Sequence, residues 1–176
     1  MNRDSAIALL RRTSSSPGRV RQVAVPPAAR ALSTLSRVDY EDACIVETGP
    51  AHDRTGEQWA RAFLEDAPII VRGALLSGWS VLGLKLGSPR SDRFVLGWEV
   101  RRSTPEFALL DAGSRLGLPA ELLLKPQEQT LLFATFVQQD NRIARAVWAG
   151  VAPMHRPVVL YVLEQARRRE LRGDRP

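Results

Sequence analysis

The most unusual local feature of the sequence is a His-Arg pair set between two prolines. His155 and Arg156 follow Pro153 closely and directly precede Pro157. An imidazole titrates near neutrality, so His155 is a candidate general acid or base, or a polar anchor, with Arg156 as a neighbouring cation. The alternative is structural: His155 binds carbonyl groups that a proline kink frees, and Arg156 pairs with a carboxylate. A catalytic histidine also needs an orienting carboxylate, and the sequence does not place one.

A second group of candidates combines large aromatic side chains with one hydroxyl, on predicted strands and on the predicted C-terminal helix. Its members are Phe94, Trp98, Phe133, Thr135 and Trp148. For the aromatic residues, ordinary core packing is the simpler interpretation. Thr135 lies on an otherwise apolar strand face, and a buried hydroxyl there needs a partner from the backbone or from a ligand. Asp111 lies within another strand and is either solvent-facing or a buried partner.

Several kinds of chemistry are absent from the sequence patterns. There is no nucleophile elbow, phosphate-binding loop, dinucleotide fingerprint or metal-ligand spacing. The single cysteine, Cys44, excludes an intrachain disulfide and a multi-cysteine metal site, and its apolar surroundings favour a small buried hydrophobe. We therefore expect neither a cofactor nor a metal ion.

The positive charge is distributed unevenly along the 176 residues. The chain has a net charge of +6, and residues 1–37 alone carry seven arginines against one aspartate. Residues 38–163 are close to neutral, which argues against nucleic-acid binding through the folded domain. Proline and serine are frequent in residues 1–37, so we predict a disordered basic arm there, one domain over 38–170 and a disordered tail over 171–176. The apolar runs are too short for a membrane span, and the expected location is cytoplasmic.

The pattern of the domain predicts an α+β fold. A strand near 40–46 precedes two helices, one capped by Thr55 and one beginning at Pro68. Short strands follow at 94–100, 107–111, 120–124 and 130–138, joined by turns that favour an antiparallel meander. A C-terminal helix capped by Asn141 is expected to cover one sheet face, with a kink or restart at 153–156.

This order of elements resembles the helix-grip fold of START-like, polyketide-cyclase and pollen-allergen-type proteins. Four segments further resemble a bacterial family of unknown function associated with that superfamily: Glu57-Gln-Trp-Ala-Arg-Ala-Phe, Val95-Leu-Gly-Trp, Ala134-Thr-Phe-Val and Val147-Trp-Ala-Gly-Val-Ala-Pro-Met-His-Arg. The resemblance covers roughly residues 38–166. It implies a curved antiparallel sheet gripping the final helix, with an apolar cavity between them. That cavity would be lined by Phe94, Trp98, Phe133, Thr135, Trp148 and His155.

Three functional hypotheses follow. The resemblance favours a module that binds a small apolar ligand in the cavity. The second is a cyclase- or hydratase-like enzyme in which His155, Arg156 or Asp111 acts on that ligand. The third is an interaction protein whose basic arm and tail contact nucleic acid or anionic lipid. The sequence leaves the oligomeric state open.

Overall fold

A computed structural model of the chain describes residues 20–48, 54–88 and 90–172. Within these ranges there are seven strands and four helices. The strands are β1 (Val20–Val23), β2 (Tyr40–Glu47), β3 (Phe94–Val95), β4 (Trp98–Ser103), β5 (Ala108–Ala112), β6 (Ala120–Pro126) and β7 (Thr130–Val137). The helices are α1 (Pro27–Arg30), α2 (Gly56–Leu64), α3 (Ile69–Val81) and α4 (Arg142–Arg172).

The strands form one antiparallel sheet in the order β1-β2-β7-β6-β5-β4-β3. The long-range pairing joins β2 to β7, with Tyr40 opposite Val137 and Glu47 opposite Thr130. The predicted α+β class, with an antiparallel sheet and a long C-terminal helix, is confirmed. The sequence predicted about five strands, and β1 and a separate β3 make up the difference.

Both faces of the sheet are covered, by different parts of the chain. On the helix face, leucines such as Leu110 and Leu122 pack with Phe63 of α2 and Leu163 of α4. On the opposite face, here called the arm face, Leu109, Leu123 and Phe136 lie under apolar residues from the segment 23–38. Because strand side chains alternate between faces, the almost continuous leucine run in β6 supplies both cores.

The prediction of a disordered arm is wrong for residues 20–37, which belong to the fold. β1 pairs with β2 along four residues, from Val20 opposite Val46 to Val23 opposite Ala43. Glu121 lies on the arm face with no exposed surface, and it accepts hydrogen bonds from the Ser33 hydroxyl (2.6 Å) and the Thr34 backbone N–H (3.1 Å). The polar composition concealed these contacts, because the serine and threonine groups satisfy a buried carboxylate. Residues 1–19 lie outside the described part of the chain.

The predicted strand 94–100 is wrong as a single element, because it turns back on itself. β3 and β4 form a hairpin in which Val95 lies opposite Trp98. The two residues of its turn, Leu96 and Gly97, have φ angles of 46° and 90°. Positive φ at both central positions is the signature of a type I′ turn. Phe94 and Trp98 therefore lie on two different strands and not on one face of a single strand, as the sequence pattern predicts.

The predicted helix starts are confirmed. Thr55 and Gln58 form a reciprocal capping box at α2, and α3 begins directly after Pro68. At α4 the Asn141 side chain accepts a hydrogen bond from the Ala144 N–H at 2.8 Å.

The predicted restart near 153–156 is wrong, since α4 is continuous through Pro153 and Pro157. The two prolines are four residues apart, and both are exposed. Pro153 has no N–H group, so the carbonyl of Ala149 lacks its usual helical donor, and Ala149 is exposed too. Water can hydrogen-bond to carbonyl groups on that side of the helix, so the loss of the helical hydrogen bonds costs less free energy than it would in the core. The predicted domain end at 170 falls two residues short of the helix end, and residues 173–176 lie outside the described chain.

One stretch of the described chain, Arg142–Arg169 within α4, has the length and mean hydropathy (1.2) of a membrane-spanning helix. The core helix of a globular domain meets the same test, so this alone is weak evidence for a span. Only 17% of its most apolar window is buried.

Candidate functional site

The structure supplies the carboxylate that the sequence did not place beside His155. His155 Nε2 of α4 lies 3.3 Å from Asp42 Oδ2 of β2. Asp42 is 5% exposed, and its side chain points to the helix face because it alternates with Ala43 of the arm-face core. The separation is that of an ion pair, while the angles are not those of a hydrogen bond. Neither structural alternative for the His-Arg pair, a bond to freed carbonyls or an Arg156–carboxylate pair, is what the structure shows.

Tyr40 links this pair to the rest of the site. Its hydroxyl donates to Asp42 Oδ2 at 2.7 Å and accepts from Arg156 Nε at 3.2 Å. Its ring meets the Trp148 ring edge-on with centroids 4.8 Å apart, and Trp148 in turn lies 5.2 Å from the His155 ring. Two residues on β2 and three on α4 therefore form one contiguous cluster, which pins the helix to the sheet.

The protonation of the cluster follows from its contacts. Burial alone would raise the pKa of Asp42, but the neighbouring His155 and the hydroxyls of Tyr40 and Thr135 outweigh burial and hold that pKa below its ordinary value. Burial, followed by the bond to Asp42, raises the pKa of Tyr40 to about 12. Burial also raises the pKa of the nearby Cys44 thiol to about 11. At neutral pH the cluster thus holds an ionised carboxylate beside a neutral phenol and a neutral thiol.

Two small cavities lie between the helix face and α3 and α4. The first, about 50 Å³ of space for the centres of water-sized molecules, is lined by Trp79, Leu82, Leu84, Trp98, Leu118, Ala120, Leu122, Thr135, Val137, Trp148 and His155. The second, about 80 Å³, is lined by Phe63, Leu64, Leu75, Trp79, Leu122, Phe133, His155, Val158, Val159, Val162 and Leu163. Trp79, Leu122 and His155 belong to both linings, so the cavities adjoin. One water needs roughly 10–15 Å³ of such space, so each cavity has room for several waters or one small organic group.

Several buried polar atoms around the first cavity have no hydrogen-bond partner among the described residues. They are Trp98 Nε1, Trp148 Nε1, Thr135 Oγ1 and His155 Nε2, all on residues that line this cavity. Thr135 lies directly opposite Asp42 in the β2–β7 register, and the indoles of Trp98 and Trp148 approach from the sheet and from α4. Since buried polar groups are nearly always paired, this concentration of unpaired donors and acceptors marks the polar end of an otherwise apolar space.

The structure brings together five of the six predicted cavity residues. Four of them, Trp98, Thr135, Trp148 and His155, line the first cavity. Phe133 lines the second with His155.

Phe94 lines neither cavity. The hairpin turns its partly exposed ring onto Gly87, where a Cβ atom would collide with it.

Asp111 does not join the site either. It lies on the arm face, opposite Glu121, and pairs there with Arg101 at 3.3 Å.

The sequence reasoning missed three residues of the site: Tyr40, Asp42 and Trp79. Alternation along β2 places Tyr40, Asp42 and Cys44 on one face, so an acidic residue between an aromatic residue and a cysteine was a detectable signal. Nothing local in the sequence connects that strand to a histidine 113 positions later. Trp79 was predicted only as part of the apolar stripe of α3.

Metal chemistry finds no support in the described residues, which contain no group of three His, Cys, Asp or Glu side chains able to hold an ion. Comparison of the chain with protein-family models, with curated proteins and with solved structures gave no match.

Proposed function

We propose that this chain binds a small neutral molecule, mostly apolar with one hydrogen-bonding group, in the cavities between the sheet and α4. The observation that carries the proposal is the pair of buried, unpaired indole N–H groups, of Trp98 and Trp148, beside an otherwise apolar space. The Thr135 hydroxyl lies next to the Asp42 carboxylate, but a core that served packing alone would bury the two indole N–H groups only with partners. A ligand carbonyl or hydroxyl would supply those partners.

Two features of the site indicate the chemistry of the ligand. The walls are aliphatic and aromatic, which favours an apolar body. The ionised Asp42 carboxylate lies directly beside Thr135 and His155 of the first cavity's lining, so a ligand carboxylate there would meet like charge. Ketones, aldehydes and alcohols fit these constraints better than fatty or aromatic acids do.

The helix-grip resemblance agrees with this location. In that fold the ligand space lies between a curved antiparallel sheet and the final helix, where both cavities of this chain are found. An open antiparallel sheet with a long C-terminal helix is compatible with a helix-grip domain, and we propose that the chain is one. A cytoplasmic location stays part of the same proposal.

The helix α3 forms a weakly packed wall of the site. None of its residues is fully buried, and only Leu75, Leu76 and Trp79 pack against the core from it. Such a helix can shift outward at small cost in buried area. The cavities can therefore enlarge for a ligand bigger than their present volume.

The proposal is tested by titrating the protein, labelled with nitrogen-15, with cyclohexanone and, as the matched hydrocarbon, methylcyclohexane. The four tryptophan indole N–H signals resolve the site: Trp98 and Trp148 should shift with the ketone, and Trp59 in α2 should not. Thr135→Val keeps the volume but removes the hydroxyl, and it should weaken ketone binding about fivefold to tenfold while leaving the hydrocarbon unaffected. Unchanged Trp98 and Trp148 signals at saturating ketone would refute the proposal.

A second candidate function, general acid–base catalysis, is favoured by the Asp42–His155 pair. A carboxylate 3.3 Å from an imidazole that lines both cavities can orient it toward a ligand. The simplest such reaction removes a proton from the carbon next to a ligand carbonyl and returns one from solvent. In deuterated water, the protein should then exchange the α-protons of bound cyclohexanone. His155→Gln should abolish that exchange while retaining binding. No exchange above the buffer rate with the wild-type protein would leave binding as the function and exclude this reaction.

A further inference from the structure

The two helices that cover the cavities present an unusual amount of exposed apolar surface. On α3, Ile69, Ile70 and Val81 are 75%, 83% and 78% exposed. On α4, Met154 is 63% exposed and Tyr161 is 55% exposed. The helices are neighbours, since side chains from both line the second cavity. Exposed apolar side chains on adjacent helices indicate a binding surface for a membrane or for another molecule.

The same two helices carry a net positive charge. Together α3 and α4 contain eight arginines and two glutamates, without lysine or aspartate, which gives +6. Residues 1–37 also carry +6, and the rest of the sequence carries −6, so within 38–172 the positive charge is concentrated on these helices. Arg142 and Arg145 lie before the apolar middle of α4. After it, residues 167–169 are three arginines, of which Arg167 and Arg168 share the one carboxylate of Glu164, so a net positive charge remains there. The apolar surface is therefore bordered by positive charge at both ends.

We propose that the α3–α4 surface docks onto an anionic lipid bilayer. Exposed aliphatic residues can enter the boundary between headgroups and acyl chains, while flanking arginines attract negatively charged headgroups. The charge argues against a second copy of this chain as the occupant, because a symmetric dimer would place two such positive surfaces against each other. Nucleic acid would use the arginines but would leave the isoleucines, Val81 and Met154 exposed to water. This proposal does not depend on the small-molecule site.

The experiment is co-sedimentation of the full chain with phosphatidylcholine vesicles, with and without phosphatidylglycerol. We expect binding that needs phosphatidylglycerol and weakens as salt is raised. The variant Ile70→Glu/Met154→Glu should weaken the partition coefficient about tenfold or more, because it replaces two inserting side chains by charges. The matched control, Ala24→Glu/Ala28→Glu, adds the same charge at exposed positions of the arm segment and should bind like wild type. A second variant, Arg142→Gln/Arg145→Gln, removes two positive charges and leaves every apolar side chain in place, and it should also lower vesicle binding.

Each outcome decides the proposal. Phosphatidylglycerol-dependent binding that is lost in the α3–α4 variants but kept in the control supports it. Absence of vesicle binding at low salt overturns it, as does equal binding of wild type and both α3–α4 variants. Self-association or binding to a DNA duplex in place of vesicle binding would also overturn it and would identify the surface as a protein or nucleic-acid interface. Circular dichroism of each variant confirms that the fold is retained.

Discussion

Asp42 and His155 lie 3.3 Å apart on two elements that meet because α4 crosses the sheet at β2, next to the edge strand β1. This relationship organises the site. It fixes the face of α4 that carries His155, and it lets Tyr40 and Trp148 close around the pair. The aromatic and hydroxyl residues of β4 and β7 then converge on the same small space.

The Asp42 carboxylate should make protein stability depend on pH in a predictable direction. Its pKa is lower in the folded protein than in the unfolded chain, so its contribution is complete above the unfolded value, near 4. That contribution is lost as pH falls through the folded pKa. Asp42→Asn should therefore lower the free energy of unfolding by about 1–3 kcal/mol at pH 7, and by much less under strongly acidic conditions. Urea unfolding at several pH values measures the difference, and a difference that does not change with pH would contradict this assignment.

Glu121 should hold the arm segment onto the sheet. Its buried carboxylate accepts from Ser33 and Thr34, and an amide there would lose the charge and one acceptor. We expect Glu121→Gln to cost about 1–3 kcal/mol and to reduce amide hydrogen-exchange protection over residues 20–37 more than elsewhere. Glu128→Gln, at an exposed turn position, is the control and should leave protection unchanged. Equal protection of the arm in both variants would show that its apolar contacts suffice.

The β3–β4 turn should tolerate no side chain at Gly97. Its φ of 90° strains any L-residue, and a Cβ atom there would lie 2.9 Å from the Leu86 Cβ. Gly97→Ala is therefore expected to destabilise the fold by roughly 1–2 kcal/mol or more. At Gly113 a Cβ atom would meet nothing closer than 3.8 Å, so Gly113→Ala should change stability by less than about 0.5 kcal/mol. Thermal unfolding of the two variants distinguishes them, and similar melting temperatures would argue against the turn geometry.

Local sequence rules predicted the features that depend on neighbouring residues. The Thr55 capping box and the Asn141 cap are specified within four positions, and both are present. The alternation in β7 placed Phe133 and Thr135 on the helix face, where the structure has them.

Features that depend on distant contacts were not predictable in the same way. The polar composition of the arm suggested disorder. The contacts that order it join Ser33 and Thr34 to Glu121, which is too far along the chain for a local pattern to show. The run 94–100 alternates like one strand, yet positive φ at Leu96 and Gly97 folds it into a hairpin. The partner of His155 is on β2, and only the sheet topology brings it there.

The most direct test of ligand binding at this site is a crystal structure of the protein grown with bromocyclohexanone, using the anomalous signal of bromine to locate the ligand. We expect a bromine peak within the adjoining cavities bounded by Trp79, Leu122 and His155, with the ketone oxygen near Thr135 or the Trp98 indole. Well-ordered crystals with no bromine peak between the sheet and α4, or with bromine only at other surfaces, would contradict it.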